Sequence, residues 1–354
     1  MKKKIYSKVK KFLKRKINTR KYHLRHRDEA KEILTNLESV NGKTNPKLIK
    51  LSDEYARDVL GDRVYAPWLY VYSALAGDFK EGWIPDNYYG KVVIPAIKGN
   101  YRTLGLFKAL STQLFQSSAF PDVAYYVNGL FLERNYTVLD EREVQEVLFK
   151  NGEVVVYKLE HSSKGEGIFF FDKDSFDTKK IQRLGNGVFQ DYIDQHPFFK
   201  EYMPSSVATL RLTTIIDDSG NPSARACFLR TARSGETHIK SSSSIHTSVN
   251  PKTGELDAQG YLQTMLTVER HPDSDIAFAG KRIPEFDNCV SVALELHRLI
   301  PYMRCVGWDM VVDKDNDIKV MEWNGGHNGI MFSEATQGPC FSDLGWEKLW
   351  QREK

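Results

Sequence analysis

The sequence has few cysteines, and they are not arranged for a metal site or a redox pair. The 354 residues include four of them, Cys227, Cys289, Cys305 and Cys340, with no C-x-x-C spacing. This pattern predicts free, mostly buried thiols in a reducing compartment and excludes a disulfide framework. Long hydrophobic runs are missing as well. No stretch reaches the roughly 18 apolar residues of a membrane span, and no apolar signal-peptide core follows the N-terminus. We therefore expect a cytoplasmic protein.

Acidic residues are missing from the first 27 positions, which hold 13 lysines and arginines. The rest of the chain has 37 basic and 46 acidic residues, a net charge of −9, so the overall charge of +4 originates in this arm. Apolar residues recur within the arm at the spacing of one helical face. They are Ile5, Val9, Phe12, Leu13 and Ile17. The pattern predicts a basic amphipathic helix over residues 1–27.

Three interpretations of this helix remain open. Residues 1–20 can lie on an anionic membrane surface, which attracts the basic side chains while the apolar face inserts. Alternatively, the helix docks on the body of the protein and its basic face only keeps the protein in solution. Nucleic acid is a weaker third partner, because the arm offers few aromatic residues for stacking and carries no known binding motif.

The periodicity of the remaining chain predicts its organisation. Residues 28–120 are predicted to be mainly helical, with apolar residues at helical spacing over 29–37 and 104–115. Short strands with few helices between them follow, which is typical of an α+β fold rather than of an alternating parallel sheet. We predict a smaller lobe over 121–192 and a larger lobe over 193–354. The predicted strands are 123–127, 130–133, 154–159, 168–171, 188–192, 208–216, 225–229, 306–312 and 318–323, with a helix over 289–300.

An acidic hairpin near the C-terminus carries a candidate metal site. Its two strands flank the polar turn 313–317, and reflecting one strand through the turn places Asp309 opposite Met321 or Glu322. Period-two alternation puts Glu322 and Asn324 on one face, so two carboxylates and an amide converge. Oxygen ligands of this kind suit Mg²⁺, which takes further oxygens from phosphates. The hairpin therefore predicts a magnesium and nucleotide site.

The turn of this hairpin does not match a calcium-binding EF-hand loop. Its D-x-D-x-D run has Ile318 where that motif needs glycine, and Asn324 where it needs glutamate. We therefore interpret Asp313, Asp315 and Asp317 as ordinary solvated turn residues.

A lysine at the end of a strand is a candidate phosphate contact. Lys158 follows Val154-Val155-Val156-Tyr157, and Ser162-Ser163-Lys164-Gly165-Glu166-Gly167 comes before the next strand. Backbone N–H groups of such a loop can cover phosphates, while the lysine supplies positive charge from a rigid strand. The loop is not a Walker A motif, because it lacks that spacing and leads into a strand. An ordinary turn would have the same composition, so the loop alone is weak evidence.

In chain order these pieces resemble the ATP-grasp superfamily. The shared features are a strand lysine, a Gly-rich lid, an adenine linker, and an Asp followed by Glu thirteen residues later and by Asn two residues after that. More narrowly, the chain is similar to the sugar-transfer-associated ATP-grasp family from about residue 120 to 340. The segments that carry this resemblance are Asp194-Gln195-His196-Pro197, Ser205 to Arg211, Gly280 to Pro284, Gly307-Trp308-Asp309 and Glu322-Trp323-Asn324.

The resemblance implies an α+β ATP-grasp fold in which two lobes clasp ATP, with ATP and Mg²⁺ as cofactors. It places Lys158 and Arg211 in catalysis, where Arg211 would clamp a phosphoryl group or an acceptor carboxylate. A structural salt bridge is the alternative for Arg211. The implied nucleotide contacts are Lys158, Lys164, Gly165, Gly167, Gln190, Asp191, Tyr192 and Ile193. The implied metal ligands are Asp309, Glu322 and Asn324.

Several positions stay open at this point. The lysine that the family carries upstream has three candidates, Lys91, Lys98 and Lys108. Either Arg230 or Arg233 matches a second arginine of relatives, and Ser241 to Ser244 replace glycines expected near an asparagine. His196, before Pro197, is either the cap of a turn or a ligand.

Three functions from different classes follow. The first is a carboxylate–amine ligase that works through an acyl phosphate in cell-surface polysaccharide synthesis or modification, on a small-molecule or polysaccharide-linked acceptor. The second is a kinase that phosphorylates a sugar hydroxyl, and no residue separates it from the ligase. The third is a catalytically silent membrane adapter. The intact set of Lys158, Asp309, Glu322 and Asn324 argues against this third function, because paired acids in an apolar strand are costly to keep without use.

Overall fold

The computed structural model describes residues 2–162, 166–240 and 242–353, and their side chains apart from those of residues 2–13, 15 and 353. The chain divides into two compact units. Unit 1 comprises Met1–Ala96, Thr264–Leu266 and Gly329–Lys354. Unit 2 comprises Ile97–Gln263 and Thr267–Asn328.

Helices form most of unit 1, and further helices lie in unit 2. The α-helices are α1 (Lys2–Asn41), α2 (Pro46–Asp58), α3 (Ala66–Ala76), α4 (Asp86–Tyr88), α5 (Ile94–Lys98), α6 (Ser111–Phe115), α7 (Val144–Leu148), α8 (Thr178–Leu184), α9 (Pro197–Tyr202), α10 (Phe286–Arg298) and α11 (Met331–Thr336). Shorter 3₁₀ segments lie at Arg63–Tyr65, Gly99–Leu106, Lys108–Leu110 and Trp346–Glu353, and a π-helical turn lies at Tyr89–Val93.

In unit 1, α1 packs against α3 and buries Ala30 and Leu37. The predicted boundary at residue 27 falls inside α1, so the arm continues without a break into the helical region. Ile17, the last residue of the predicted apolar stripe, is 55% exposed. The side chains of its other four members lie outside the described part of the chain. Among the described residues, no helix combines the length and the apolarity that crossing a membrane requires.

The prediction of one helix over 104–115 is wrong. The chain forms two 3₁₀ segments and then α6, because Phe107 adopts φ −94° and ψ 81°, which are not helical angles. Gly105 contributes to the same irregularity, because it packs closely on the backbone that follows β12. A Cβ at this position would lie 2.8 Å from the backbone nitrogen of Gly325.

The strands of unit 2 form two antiparallel sheets. The strands are β1 (Asp122–Val127), β2 (Leu130–Glu133), β3 (Val154–Leu159), β4 (Ile168–Asp172), β5 (Gly187–Asp191), β6 (Thr209–Ile216), β7 (Pro222–Thr231), β8 (Ile245–Val249), β9 (Leu256–Tyr261), β10 (Thr267–Val268), β11 (Cys305–Val312) and β12 (Ile318–Asn324). The small sheet has the order β2-β1-β5-β3-β4, and the large sheet the order β10-β9-β8-β7-β6-β11-β12. The predicted α+β class is confirmed.

Each sheet has its own core. Tyr157, Phe171 and Phe189 pack beneath the small sheet. Trp308 and Met310 pack between the large sheet and α10. The central strands β6 and β11 are buried along their whole length, so any charged residue on them needs a partner.

Two parts of the chain differ from the sequence analysis. Residues 329–354, expected in the larger lobe, belong to unit 1, and residues 97–120 belong to unit 2. The strands β8, β9 and β10 were not predicted, because their polar residues and a glycine interrupt the alternation of apolar and polar residues that indicates a strand. The four cysteines are free, and three of them are buried, as predicted.

Candidate active site

The hairpin β11–β12 brings the predicted metal ligands together. Asp309 pairs with Glu322 in the register, which confirms one of the two predicted alternatives. A bulge follows this pair and takes Met321 out of register. Asn324 pairs with Gly307, two residues along the same face. Asp315 and Asp317 are exposed, as interpreted, whereas Asp313 is buried and its Oδ1 accepts hydrogen bonds from the backbone nitrogens of both.

Asp309 is the centre of a buried ion-pair cluster. Arg211, its register partner on β6, donates from Nε to Oδ1 at 2.5 Å and from Nη2 to Oδ2 at 3.0 Å. Arg230 reaches the same carboxylate from β7, with 2.8 Å between Nη2 and Oδ1. Burial raises the pKa of Asp309, but the two guanidinium groups outweigh it and hold this pKa at about 2. The carboxylate therefore stays charged at neutral pH.

The loop after β12 fixes the position of Arg211. Arg211 Nη1 donates to the backbone oxygen of Asn328 at 2.8 Å. Lys98, which is 2% exposed, holds this loop by donating to the backbone oxygen of Gly326 at 2.7 Å and to Asn328 Oδ1 at 3.2 Å. Gly307 makes the packing possible, because a Cβ there would lie 2.8 Å from the Cβ of Asn328 and 3.3 Å from Arg211 Cδ. Arg211 thus presents its guanidinium in a fixed orientation.

The donor set suits a hard divalent cation. Asp309, Glu322 and Asn324 offer two carboxylates and an amide oxygen on one face, and Asn324 Nδ2 lies 3.4 Å from Asp309 Oδ2. Among the described residues no group of three His, Cys, Asp or Glu side chains is close enough to hold a metal, so Asn324 is needed as the third donor. Both oxygens of Asp309 already pair with arginines, so a cation would share this carboxylate with them. The residues fit Mg²⁺ if phosphate oxygens complete its shell.

Two lysines bring positive charge close to Glu322, one of the candidate metal ligands. Lys158, on β3, is half-buried, and burial lowers its pKa while the nearby carboxylates of Glu322 and Asp122 oppose the shift. Lys108, on the 3₁₀ segment before α6, lies 3.5 Å from Glu322 Oε1. Its Nζ also donates to the backbone oxygen of Glu160 at 3.3 Å. Both lysines are therefore placed to contact a phosphate held at Glu322.

The position of Lys108 separates the three candidates for the upstream lysine. Lys98 is used in holding the loop after β12, and Lys91 belongs to unit 1, where its Nζ stands 5.0 Å from the centre of the Tyr22 ring. Lys108 alone among the three contacts a residue of the candidate metal site.

The glycine-rich lid is only partly described. Lys164 and Gly165 lie outside the described residues, and their predicted nucleotide contacts stay predictions. Gly167 has φ +69°, and a Cβ there would lie 2.7 Å from the Cβ of Ser162, so glycine is required to close this turn. The backbone oxygen of Gly167 accepts a hydrogen bond from Leu159 N at 2.9 Å. Of the lid, Ser162 and Gly167 therefore lie close together beside the ends of β3 and β4.

The predicted adenine linker includes the end of β5. Gln190 points inward, and its Nε2 donates to Asp122 Oδ1 at 2.8 Å and to the backbone oxygen of Met321 at 3.3 Å. Asp191 is the last residue of β5, and its backbone nitrogen donates to the backbone oxygen of Pro121 at 2.8 Å. Tyr192 and Ile193 follow the strand, and Tyr192 is 47% exposed. The side chain of Gln190 thus ties the two sheets together, and the nucleotide contacts of the linker stay predictions.

The gap beside Gln190 is narrow. It is lined by Lys108, Asp122, Gln190 and Glu322, among others, and has a volume of only about 10 Å³. The ion pair between Lys108 and Glu322 must therefore open before a phosphate can enter between them.

Two ambiguous residues now have clear structural roles. His196 caps α9, because its Nδ1 accepts a hydrogen bond from Phe198 N at 3.1 Å and Pro197 follows in the first turn. Arg233 pairs on the surface with Asp273, with 2.8 Å between Nε and Oδ2. Arg230, not Arg233, therefore belongs to the active-site cluster.

His246 extends this cluster and was not singled out from the sequence. It pairs with Arg230 in the register of β7 and β8, and its Nε2 lies 3.1 Å from Ser244 Oγ. Burial, together with the charges of Arg230 and Arg211, lowers the pKa of His246 to about 3. The imidazole is therefore neutral and borders a strongly positive surface suited to an anionic group.

Residues 181–343 match the family model described as sugar-transfer associated ATP-grasp. The match covers a little less than half of the chain and shows what this segment is similar to. The matched residues contain the large sheet with Arg211, Arg230 and the β11–β12 hairpin. The match ends at residue 343, within the last stretch of unit 1, Gly329–Lys354. The resemblance inferred from the motifs is confirmed, and the two antiparallel sheets are those of an ATP-grasp fold. Among curated proteins, nothing matches the chain.

Solved structures with similar folds include other ATP-grasp proteins. Biotin carboxylase from Campylobacter jejuni is 12% identical, with a TM-score of 0.44 over 90% of this chain and 68% of that one. The biotin carboxylase domain of 2-oxoglutarate carboxylase from Hydrogenobacter thermophilus is 13% identical, with a TM-score of 0.43 over 69% of this chain. Our chain spans 45% of that protein. D-alanine–D-alanine ligase from Coxiella burnetii is 13% identical, with a TM-score of 0.39 over 71% of this chain and 59% of that one. Since these scores are below 0.5, the assignment depends on the family match and the site geometry.

Proposed function

We propose that the protein is an ATP- and Mg²⁺-dependent carboxylate–amine ligase that works through an acyl phosphate. Its acceptor would be a small molecule or a polysaccharide-linked group of cell-surface polysaccharide synthesis or modification, in keeping with the sugar-transfer association of the family. The observation that carries this proposal is one arrangement in unit 2. Asp309 and Glu322 are paired on a face that also holds Arg211. Lys108 forms an ion pair with Glu322, and Lys158 is near enough to interact with Glu322 electrostatically.

The proposed reaction has two steps that balance in atoms and charge. A carboxylate oxygen of the acceptor bonds to the γ-phosphorus of ATP as the bond to the β,γ-bridging oxygen breaks, and ADP leaves. An amine nitrogen then attacks the acyl carbon and loses a proton, and inorganic phosphate leaves. Mg²⁺, when bound, would neutralise phosphate charge and orient the γ-phosphoryl group.

The side chains of the site have distinct roles in these steps. Asp309, Glu322 and Asn324 would hold the cation, while Lys158 and Lys108 would contact the phosphates. Arg211 and Arg230 present fixed positive charge where the acceptor carboxylate and the transferred phosphoryl group meet, which stabilises charge that develops in the transition state.

Hydroxylamine trapping tests the chemistry directly. Full-length protein is incubated with ATP, Mg²⁺, hydroxylamine and a panel of carboxylic acids and sugars, and hydroxamate, ADP and phosphorylated sugar are measured. We expect equal amounts of hydroxamate and ADP, because hydroxylamine intercepts an acyl phosphate. The Glu322→Gln variant should form neither product, while Asp315→Asn, in the solvated turn, should behave as wild type. ADP formation with a phosphorylated sugar and no hydroxamate would identify a kinase instead, and the ligase proposal would be abandoned.

We also propose that residues 1–20 hold the protein at an anionic membrane surface on the cytoplasmic side. This is supported by ten lysines and arginines in that segment and by the exposure of Ile17. Deleting residues 1–20 should abolish sedimentation with phosphatidylglycerol vesicles at low and high salt and leave ATP turnover in place. Charge alone would give attachment that salt screens away, whereas insertion of the apolar stripe leaves a salt-resistant remainder. If the full-length protein does not sediment even at low salt, the membrane proposal fails.

A further inference from the structure

A cleft of about 750 Å³ lies in unit 1, between α1 and the residues that begin α3. One side is a stripe of α1 that includes Lys16, Arg20, His23 and Arg27, which follow each other at helical spacing. The other side is formed by residues 63, 64 and 67. Pockets of a few hundred to about 1,000 Å³ are the usual size for small-molecule ligands. The proposed catalytic chemistry does not use this cleft.

The interior of the cleft is apolar. It is lined by Ile17 and Leu24 from α1 and by Val64 and Pro67 from the opposite side. Ile17 is 55% exposed, and the other three are half-buried. These side chains form a continuous apolar strip that the described residues of unit 1 leave uncovered, and such a strip typically marks a binding surface.

The rim of the cleft is positively charged. Four cationic side chains line it, namely Lys16, Arg20, Arg27 and Arg63, and none of the described lining residues is acidic. Arg27 also pairs with Asp28 and Arg63 with Asp53, at 2.8 Å and 2.6 Å. Arg20 has no ion-pair partner among the described residues and is exposed. The rim therefore keeps a net positive charge at the mouth of an apolar cavity.

We propose that this cleft binds one anionic phospholipid molecule. Its phosphate would contact the rim at Arg20 and Lys16, and an acyl chain would lie along Ile17, Leu24 and Val64. Charge complementarity selects the anionic headgroup, and the apolar strip selects a ligand with a hydrocarbon chain over a free phosphate. The inference deepens the proposed membrane contact and relies on it only for the source of the lipid. The protein would then recognise individual lipid molecules in addition to being attracted to a charged surface.

A short-chain phosphatidylglycerol that is soluble as a monomer is the probe, because it needs no membrane. Isothermal titration of full-length protein should show saturable binding at one site. Arg20→Gln and Leu24→Trp should each weaken that binding about tenfold, since one removes the headgroup contact and the other fills the cleft. Lys21→Gln is the matched control, because Lys21 is an exposed neighbour on α1 with the same charge that does not line the cleft. It should change the affinity less than twofold.

Two further ligands test which part of the lipid the cleft recognises. Glycerol phosphate, which carries the headgroup charge without chains, should bind far more weakly, and short-chain phosphatidylcholine should bind weakly as well. Equal binding of glycerol phosphate would reduce the cleft to an anion site, and equal binding of phosphatidylcholine would exclude headgroup selectivity. Either result overturns the proposal, as does equal affinity in wild type and Leu24→Trp.

Folding and function are controlled separately. Thermal melting checks each variant, and Val64→Phe, which fills the cleft from its other side, replaces Leu24→Trp if that variant melts early. The Glu322→Gln variant should bind the lipid like wild type, so loss of ligase activity and loss of lipid binding are distinguishable. If deleting residues 1–20 does not change sedimentation with vesicles, while the full-length protein still binds the short-chain lipid, the membrane proposal is rejected and the lipid site in the cleft is kept.

Discussion

Asp309 in unit 2 and Glu334 in unit 1 are both buried carboxyl groups, with 6% and 0% exposure. Asp309 lies between Arg211 and Arg230, which overcome the effect of burial and hold its pKa at about 2. Glu334 has no arginine or lysine beside it among the described residues and accepts hydrogen bonds from the backbone nitrogens of Ile84 at 2.6 Å and Cys340 at 2.7 Å. Burial raises the pKa of Glu334 to about 7, and these hydrogen bonds oppose the shift only in part.

The contrast shows that burial alone does not make a carboxylate functional. A buried carboxyl group without a cationic partner shifts toward its neutral form. In unit 1 such a group, Glu334, connects the segments at Ile84 and Cys340 by hydrogen bonds. A buried carboxylate that remains charged requires counter-charges, and these same counter-charges can act on a phosphate or a carboxylate of a substrate. We therefore treat the cluster around Asp309 as chemical and the environment of Glu334 as structural.

The largest effect is expected for Asp309→Asn. Removing the negative charge leaves Arg211 and Arg230 buried side by side without compensation, which should lower the free energy of unfolding by about 3–5 kcal/mol. ADP formation should also be lost. Urea denaturation measures the first effect, and Asp315→Asn, in the hairpin turn, should stay within about 0.5 kcal/mol of wild type. An unchanged unfolding free energy in Asp309→Asn would show that the arginines do not depend on this carboxylate.

The next effect concerns the pH dependence of unit 1. The pKa of Glu334 rises from 4.5 to about 7 on folding, so its contribution is fully present below pH 4.5 and is lost as pH rises toward 7. The loss amounts to about 3 kcal/mol, and Glu334→Gln should remove this slope. Comparing the unfolding free energies of variant and wild type from pH 4 to 8 isolates the effect from other titrating groups. Glu81→Gln, at an exposed site, should keep the wild-type slope. If Glu334→Gln keeps it too, Glu334 is charged in the folded protein.

The smallest stability effect is expected for Glu322→Gln. The side chain of Glu322 is 35% exposed, and its ion pair with Lys108 is long at 3.5 Å, so its loss should cost less than about 1 kcal/mol. ADP formation should nevertheless disappear, because the carboxylate would no longer bind the cation. Differential scanning calorimetry and an ADP assay measure the two effects. A large drop in Tm would make Glu322 a structural residue and weaken the contrast between the two units.

The sequence predicted the parts of the site that depend on local pairing. The short turn 313–317 fixes how β11 meets β12, so the sequence predicted the partner of Asp309 as Met321 or Glu322, and the bulge after Asp309 decides for Glu322. Arg230 was ambiguous, because it reaches Asp309 only through the order β7-β6-β11, which sequence spacing does not encode. Lys108 was one of three candidates, because the periodicity over 104–115 predicted one continuous helix, whereas the break at Phe107 places Lys108 on a separate 3₁₀ segment. His246 was missed because β8 alternates too weakly to be recognised as a strand.

A crystal structure with a non-hydrolysable ATP analogue and Mg²⁺ tests the central claim most directly. The claim is that the face of Asp309, Glu322 and Asn324 is a magnesium and phosphate site. We expect oxygens of these three residues within about 2.0–2.5 Å of the metal, and Lys158 and Lys108 on the phosphates, with the contact between Lys108 and Glu322 broken. A metal bound elsewhere would contradict the account. So would an analogue that leaves the ion pairs of Asp309 with the arginines and of Glu322 with Lys108 unchanged.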